Sequence, residues 1–155
     1  MLMRFKIPKI RVGNGYVPTN SVTSPTCSSS DGTLAEMGNR PYVFNVRRLA
    51  DSNSSVRRAL WTGKHLQLTA SALPPSGEPV WECHPSLDRL IAVTSGYGEI
   101  EMEGERGRVR YSLGDGYAAI VPSGTRHVLR NTGNRPLRFY SVYTHPAHPY
   151  GDDVK

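Results

Sequence analysis

From Tyr42 onward the chain is a succession of short β-type runs separated by turn residues. Two runs alternate: His65, Gln67 and Thr69 with Leu66, Leu68 and Ala70, and Glu99, Glu101 and Glu103 with Ile100 and Met102. That period of two predicts strands with one buried face. Residues 90–94, 117–121 and 137–143 are denser apolar runs of strand length. Residues 42–46 open the series as a further predicted strand, and residues 46–51 read as a helical turn. Turn residues fall between the runs, at Pro74, Pro75 and Gly77, at Gly96 and Gly98, at Gly114 and Gly116, at Ser123 and Gly124, and at Gly133 and Asn134. Many short strands at regular spacing predict an all-β sandwich or barrel, with a jelly roll among the options.

Composition narrows this picture. A chain of 155 residues holds one comfortable domain, and 15 Gly and 12 Pro without a strict period suit a turn-rich β protein. The expected organisation is a flexible basic, Ser/Thr-rich arm over residues 1–40, a domain over 41–151 and a tail over 152–155. Cys27 and Cys83 are too few and too far apart for a disulfide framework, and no apolar run is long enough to cross a bilayer, so a soluble protein is expected. The net charge of +6 is spread without a basic block, so a mildly basic solvated surface competes with RNA or acidic protein partners as its meaning. Arg4, Lys6, Lys9 and Arg11 precede a Ser/Thr run with no acidic residue in the first thirty positions. An organelle transit segment and an ordinary disordered arm both have this composition, so a mitochondrial matrix and a cytoplasmic location stay open.

Candidate chemistry lies in two segments. Glu82 and His84, one residue apart, leave the same face of a strand while Trp81 and Cys83 leave the other, where Cys83 reads as a small buried hydrophobe. His127 follows the corner made by Pro122 and Gly124, and Leu129 and Asn131 share its face. His145 and His148 lie among prolines, which exclude a helical presentation, and are read as a loop near a barrel mouth; His65 is read as structural.

Gly116, Pro122, Gly124, His127 and Asn131 stand at every fixed position of the second cupin motif, G-x5-P-x-G-x2-H-x3-N. The first cupin motif is partly kept, through Gly77, Glu82, His84, Arg89 and Gly96, with its leading spacer one residue short. With Arg58 to Thr69 and Tyr143 to Gly151, these residues make the chain similar to small bacterial single-domain cupins described as mannose-6-phosphate-isomerase-like, over about residues 41 to 151. The resemblance implies a cupin jelly-roll barrel with an irregular N-terminal arm, and it admits a homodimer formed by sheet packing. It also implies a divalent metal such as Fe, Mn, Ni or Zn, with Glu82, His84 and His127 as the candidate ligands.

The chain departs from the pattern at Arg89, where such cupins carry an acidic or amide ligand. A guanidinium cannot ligate a cation, and at 4 Å and an effective dielectric of 20 it repels each unit charge by about 4 kcal/mol. Arg89 is expected to pair with Glu82 or to receive an anionic group, with Asn131 beside them as a third ligand-binding candidate. A bulge after Pro85 would turn Asp88 inward instead. Two functions follow: a cupin with a decayed metal site, binding a small polar or anionic ligand or serving as an accessory subunit of a larger, mitochondrial assembly; or a metal-dependent isomerase or oxygenase on a sugar-like or carboxylate substrate.

Overall fold

The computed structural model describes residues 41–105, 107–148 and 153–154. The targeting and assembly expectations for residues 1–40 lie outside the described residues. Among the described residues no helix is long and apolar enough to cross a membrane.

The helical turn forms as α1, Val46–Ser52. The Asn45 side chain accepts a hydrogen bond from the Arg48 amide (2.9 Å), an N-cap that satisfies one of the free N–H groups of the first turn. The predicted strand at 42–46 does not form. Tyr42 and Phe44, with rings stacked 5.0 Å apart, instead pack on a cluster of Leu49, Leu60, Leu68 and Ala70. Here aromatic burial on a neighbouring sheet, rather than ladder pairing, accounts for the β-type composition.

Among the described residues nine strands follow: β1 Arg57–Thr62, β2 Gln67–Leu73, β3 Arg89–Ser95, β4 Gly98–Gly104, β5 Gly107–Leu113, β6 Ala118–Val121, β7 His127–Asn131, β8 Leu137–Tyr143 and β9 Asp153–Val154. They form two antiparallel sheets, one in the order β6-β3-β8-β2-β1-β9 and one in the order β5-β4-β7. Asp153 and Val154, within the segment read as a tail, pair with Arg58 and Arg57. The main core lies between the sheets, where Ile91, Val93, Val121, Leu137 and Phe139 of the larger meet Ile100 and Leu113 of the smaller. Gly96 sits at φ +89° in the β3–β4 turn, where an added Cβ would lie 2.7 Å from the Pro136 carbonyl oxygen, so glycine is required.

The alternation around β2 was legible, but its meaning was not. His65 is exposed in the turn before the strand, and β2 is buried on both faces. Cross-strand pairing aligns Gln67 with Tyr143, Thr69 with Ser141 and Ser71 with Phe139, and Arg89 with Tyr143, so these side chains share the inner face. Leu68 and Ala70 point outward into the cluster under Tyr42 and Phe44. The polar half of the alternation therefore faces the interior.

Gln67 is fully buried at one end of this inner face. Its amide oxygen accepts from the Ala147 (3.1 Å) and His148 (3.0 Å) amides, and its nitrogen donates to the His148 carbonyl (3.0 Å) and Thr62 Oγ1 (3.0 Å). The loop expected near the barrel mouth is thus latched across it, with the His148 ring edge-on to Tyr143 at 5.1 Å. Gln67→Ala is expected to lower the unfolding free energy by about 2 kcal/mol, because it strands two amides and a carbonyl. Urea unfolding checks this; a change under about 0.5 kcal/mol, the range of ordinary surface substitutions, would contradict the latch.

Candidate functional site

The segment around Glu82 runs antiparallel to the start of β7. Glu82 and His127 exchange both backbone hydrogen bonds (2.8 and 2.9 Å), and the Gly124 amide donates to the His84 carbonyl (2.8 Å). Gly124 holds the corner before β7 at φ +75°. Asp88 lies outside the barrel, where its carboxylate accepts from the Ser123 amide (2.9 Å) and ties down the same corner. No bulge turns it inward; Arg89 is the residue that points into the interior, with 5% of its surface exposed.

Two segments, the one carrying Glu82 and His84 and the start of β7, thereby deliver one cluster. Donor atoms of Glu82, His84 and His127 lie within 4.8 Å of one another. Such a carboxylate and two imidazoles can hold a divalent ion. Yet the cluster already contains a cation: Arg89 Nη1 is 2.5 Å from Glu82 Oε2 and 3.2 Å from His127 Nε2. Arg89 Nε and Nη2 both donate to Ser141 Oγ (3.3 and 3.2 Å), and the guanidinium carbon sits 5.1 Å from the centre of the Tyr143 ring. The donor set fits a metal, and the Arg89 guanidinium sits among those same donors.

His127 Nδ1 faces the Thr125 carbonyl at 3.1 Å, and a carbonyl can only accept. Nδ1 therefore carries the proton, and Nε2 accepts from Arg89. Burial pushes the His127 imidazole below its ordinary value, and the Arg89 charge pushes the same way against the Thr125 hydrogen bond, so the ring is neutral. For Glu82, burial works to raise the carboxyl, but the Arg89 charge beside it outweighs that and holds it below the usual range. His84 Nε2 is buried with no hydrogen-bond partner, its neighbour Glu82 Oε2 standing 3.5 Å away.

A cavity of about 280 Å³ opens beside the cluster, with Glu82, Arg89 and His127 at its polar end and Leu73, Leu129 and Phe139 among its apolar walls. Asn131 lines it too, but its amide is committed, donating to the Leu73 and Arg135 carbonyls (2.8 and 2.7 Å) and accepting from the Gly133 amide (2.9 Å). It brackets the end of β7 with both amide hydrogens spent within the fold. Cys83 is exposed, not buried as expected, because the face opposite Glu82 is turned to solvent there. Trp81 on that face is covered by Arg108, Arg126 and Arg130, whose guanidinium carbons lie 4.7 to 5.9 Å from its ring centre. Sequence reasoning missed Ser141 and Tyr143. The available signal was a serine at an inward position of β8, between phenylalanine and tyrosine, where an apolar side chain is the default.

A family model described as "Cupin domain" matches residues 71–143. The uncharacterized protein YrkC of Bacillus subtilis is 38% identical over 120 residues, 76% of this chain, which spans 64% of that protein's length. The uncharacterized protein L612 of Acanthamoeba polyphaga mimivirus is 33% identical over 119 residues, covering 76% of this chain and 74% of that protein. The crystal structure of BH2720 from Bacillus halodurans is 41% identical, superposes with a TM-score of 0.73, and covers 77% of this chain and 92% of that one.

The two depressed acidities give stability a definite pH slope. Unfolded His127 protonates below its ordinary 6.5 while the folded ring stays neutral, so stability is complete above 6.5 and falls as pH drops below it. The Glu82 contribution is complete above the ordinary 4.5 and is lost as pH falls through the lower folded value. Urea unfolding from about pH 8 to pH 3 is expected to show both declines, and His127→Gln should remove the first. Stability that is flat or rising from pH 7 down to about pH 5 would contradict the neutral, buried ring.

Proposed function

The chain belongs to the cupin family, and we propose that in this member the internal cation is the Arg89 guanidinium instead of a metal ion, leaving a small-ligand-binding barrel. One observation carries the reading: Arg89 Nη1 donates to Glu82 (2.5 Å) and His127 (3.2 Å), the same two groups that would otherwise face a metal. A guanidinium keeps its charge at any pH a folded protein experiences, so it satisfies a buried carboxylate and an imidazole lone pair permanently. The remaining donors are anchored on Ser141 Oγ and the cation lies against Tyr143, which fixes its position from the opposite side. The cavity next to this pair lies near the lower end of the size range of small-molecule sites.

A second reading is supported by the buried, unpartnered Nε2 of His84. In that reading Arg89 swings away, Glu82, His84 and His127 hold a divalent metal, and the metal supplies Lewis-acid or redox chemistry to an isomerase or oxygenase. A role as an accessory subunit, and a mitochondrial location, would rest on residues 1–40.

Thermal unfolding with Zn, Ni, Mn or Fe(II) separates the two. The wild-type midpoint is expected to move by less than about 1 °C, because a metal must displace an ion pair to bind. Arg89→Gln, which exchanges the cation for an amide ligand, is expected to gain about 5–10 °C at a metal concentration one hundred times Kd. A wild-type protein purified without chelator that carries one tightly held metal per chain would overturn the proposal.

A further inference from the structure

We propose that the cavity selects a neutral hydrogen-bond donor with an apolar body, a small alcohol or phenol, whose hydroxyl binds Glu82 Oε1. This rests on Arg89 being the resident cation, and it follows from counting which polar atoms of the floor remain uncommitted. Arg89 spends four of its five N–H groups on Glu82, His127 and Ser141. His127 uses Nδ1 on Thr125 and Nε2 on Arg89, and Asn131 uses its oxygen and both amide hydrogens within the fold. Glu82 is different: Oε2 takes the guanidinium, its side chain is 35% exposed, and Oε1 makes no hydrogen bond. Of these four groups, Glu82 presents an oxygen with no hydrogen bond at all, which can only accept, and Arg89 keeps one unspent N–H, which can only donate, so a hydroxyl, able to do both, suits what is left.

Charge then decides among the molecules that could meet it. A carboxylate or phosphate would place an anion against an anion, with the compensating guanidinium already taken. An ammonium group would approach a cation 2.5 Å behind the same carboxylate. A neutral hydroxyl meets neither repulsion and gains a charge-assisted hydrogen bond. Arg57 and Glu78, of opposite sign, also line the cavity. Leu73, Leu129, Phe139 and Val80 supply walls for a hydrocarbon body. Since an apolar cavity of about 150 Å³ already admits benzene, about 280 Å³ admits a six-membered ring carrying a hydroxymethyl group.

The test is calorimetric titration of the full chain with matched probes: benzyl alcohol, benzoate and benzylammonium, then cyclohexylmethanol and cyclohexanecarboxylate. Each alcohol is expected to bind at least about tenfold more tightly than the ions of the same skeleton. Intermolecular NOEs from the alcohol should fall on Leu129 and Phe139. Equal or tighter binding of a carboxylate or the ammonium, absence of saturable alcohol binding up to about 10 mM, or NOEs confined to other residues would each overturn the proposal. The Arg89 reading fails separately, by metal uptake in the wild-type protein, so an ion preference without metal binding would sink the donor selection alone.

Discussion

A guanidinium cannot be neutralised by giving up its proton, so burying one obliges the fold to surround it with acceptors and to keep them there. Arg89 imposes that obligation on the inside of this barrel. Glu82 supplies the opposite charge, His127 a lone pair, Ser141 a hydroxyl that accepts twice, and Tyr143 the face of a ring. With Arg89 on β3, these groups come from four separate segments, so the pairing is as much a topological device as an electrostatic one. Removing one partner would strand the other, which is costlier than exchanging both for apolar groups. The same demand accounts for the polar inner positions at Ser141 and for the neutral state of His127.

What makes the arrangement possible is the short ladder between Glu82 and His127. Their paired backbones fix the two side chains next to each other before any side-chain contact is made, and the corner at Pro122 to Gly124 is held from outside by Asp88. The scaffold is a cupin scaffold, and Arg89 at the start of β3 is the departure that places a cation inside it. Matches to the B. subtilis, mimivirus and B. halodurans proteins concern this scaffold and carry no chemistry of their own.

Much of this was legible in the string. Strand β8 was found at its full extent, and β3 and β6 within a residue or so, because each is a continuous apolar run bounded by turn residues. The motif spacing assigned Arg89 to the interior, and it is buried there. Illegible were the features that depend on what covers a surface. The alternation at Gln67 to Ala70 gave a strand but not its orientation, because the apolar half is buried under Tyr42 and Phe44, themselves read as a strand. Cys83 looked like a core residue because its neighbours are apolar or aromatic, yet its face is open to solvent. Strand β5, with Arg108, Arg110 and Tyr111 exposed at a sheet edge, carries too little apolar character to declare itself.

The central claim is a hydrogen bond from Arg89 Nη1 to an unprotonated His127 Nε2, and nitrogen-15 NMR of the histidine side chains reads it most directly. At neutral pH, in protein prepared with or without divalent metal, His127 is predicted to be the Nδ1–H tautomer, with a hydrogen-bonded Nε2 and a slowly exchanging Arg89 side-chain N–H resonance. An Nε2–H tautomer, a charged ring, or an Nε2 resonance that moves on stoichiometric addition of zinc would contradict it.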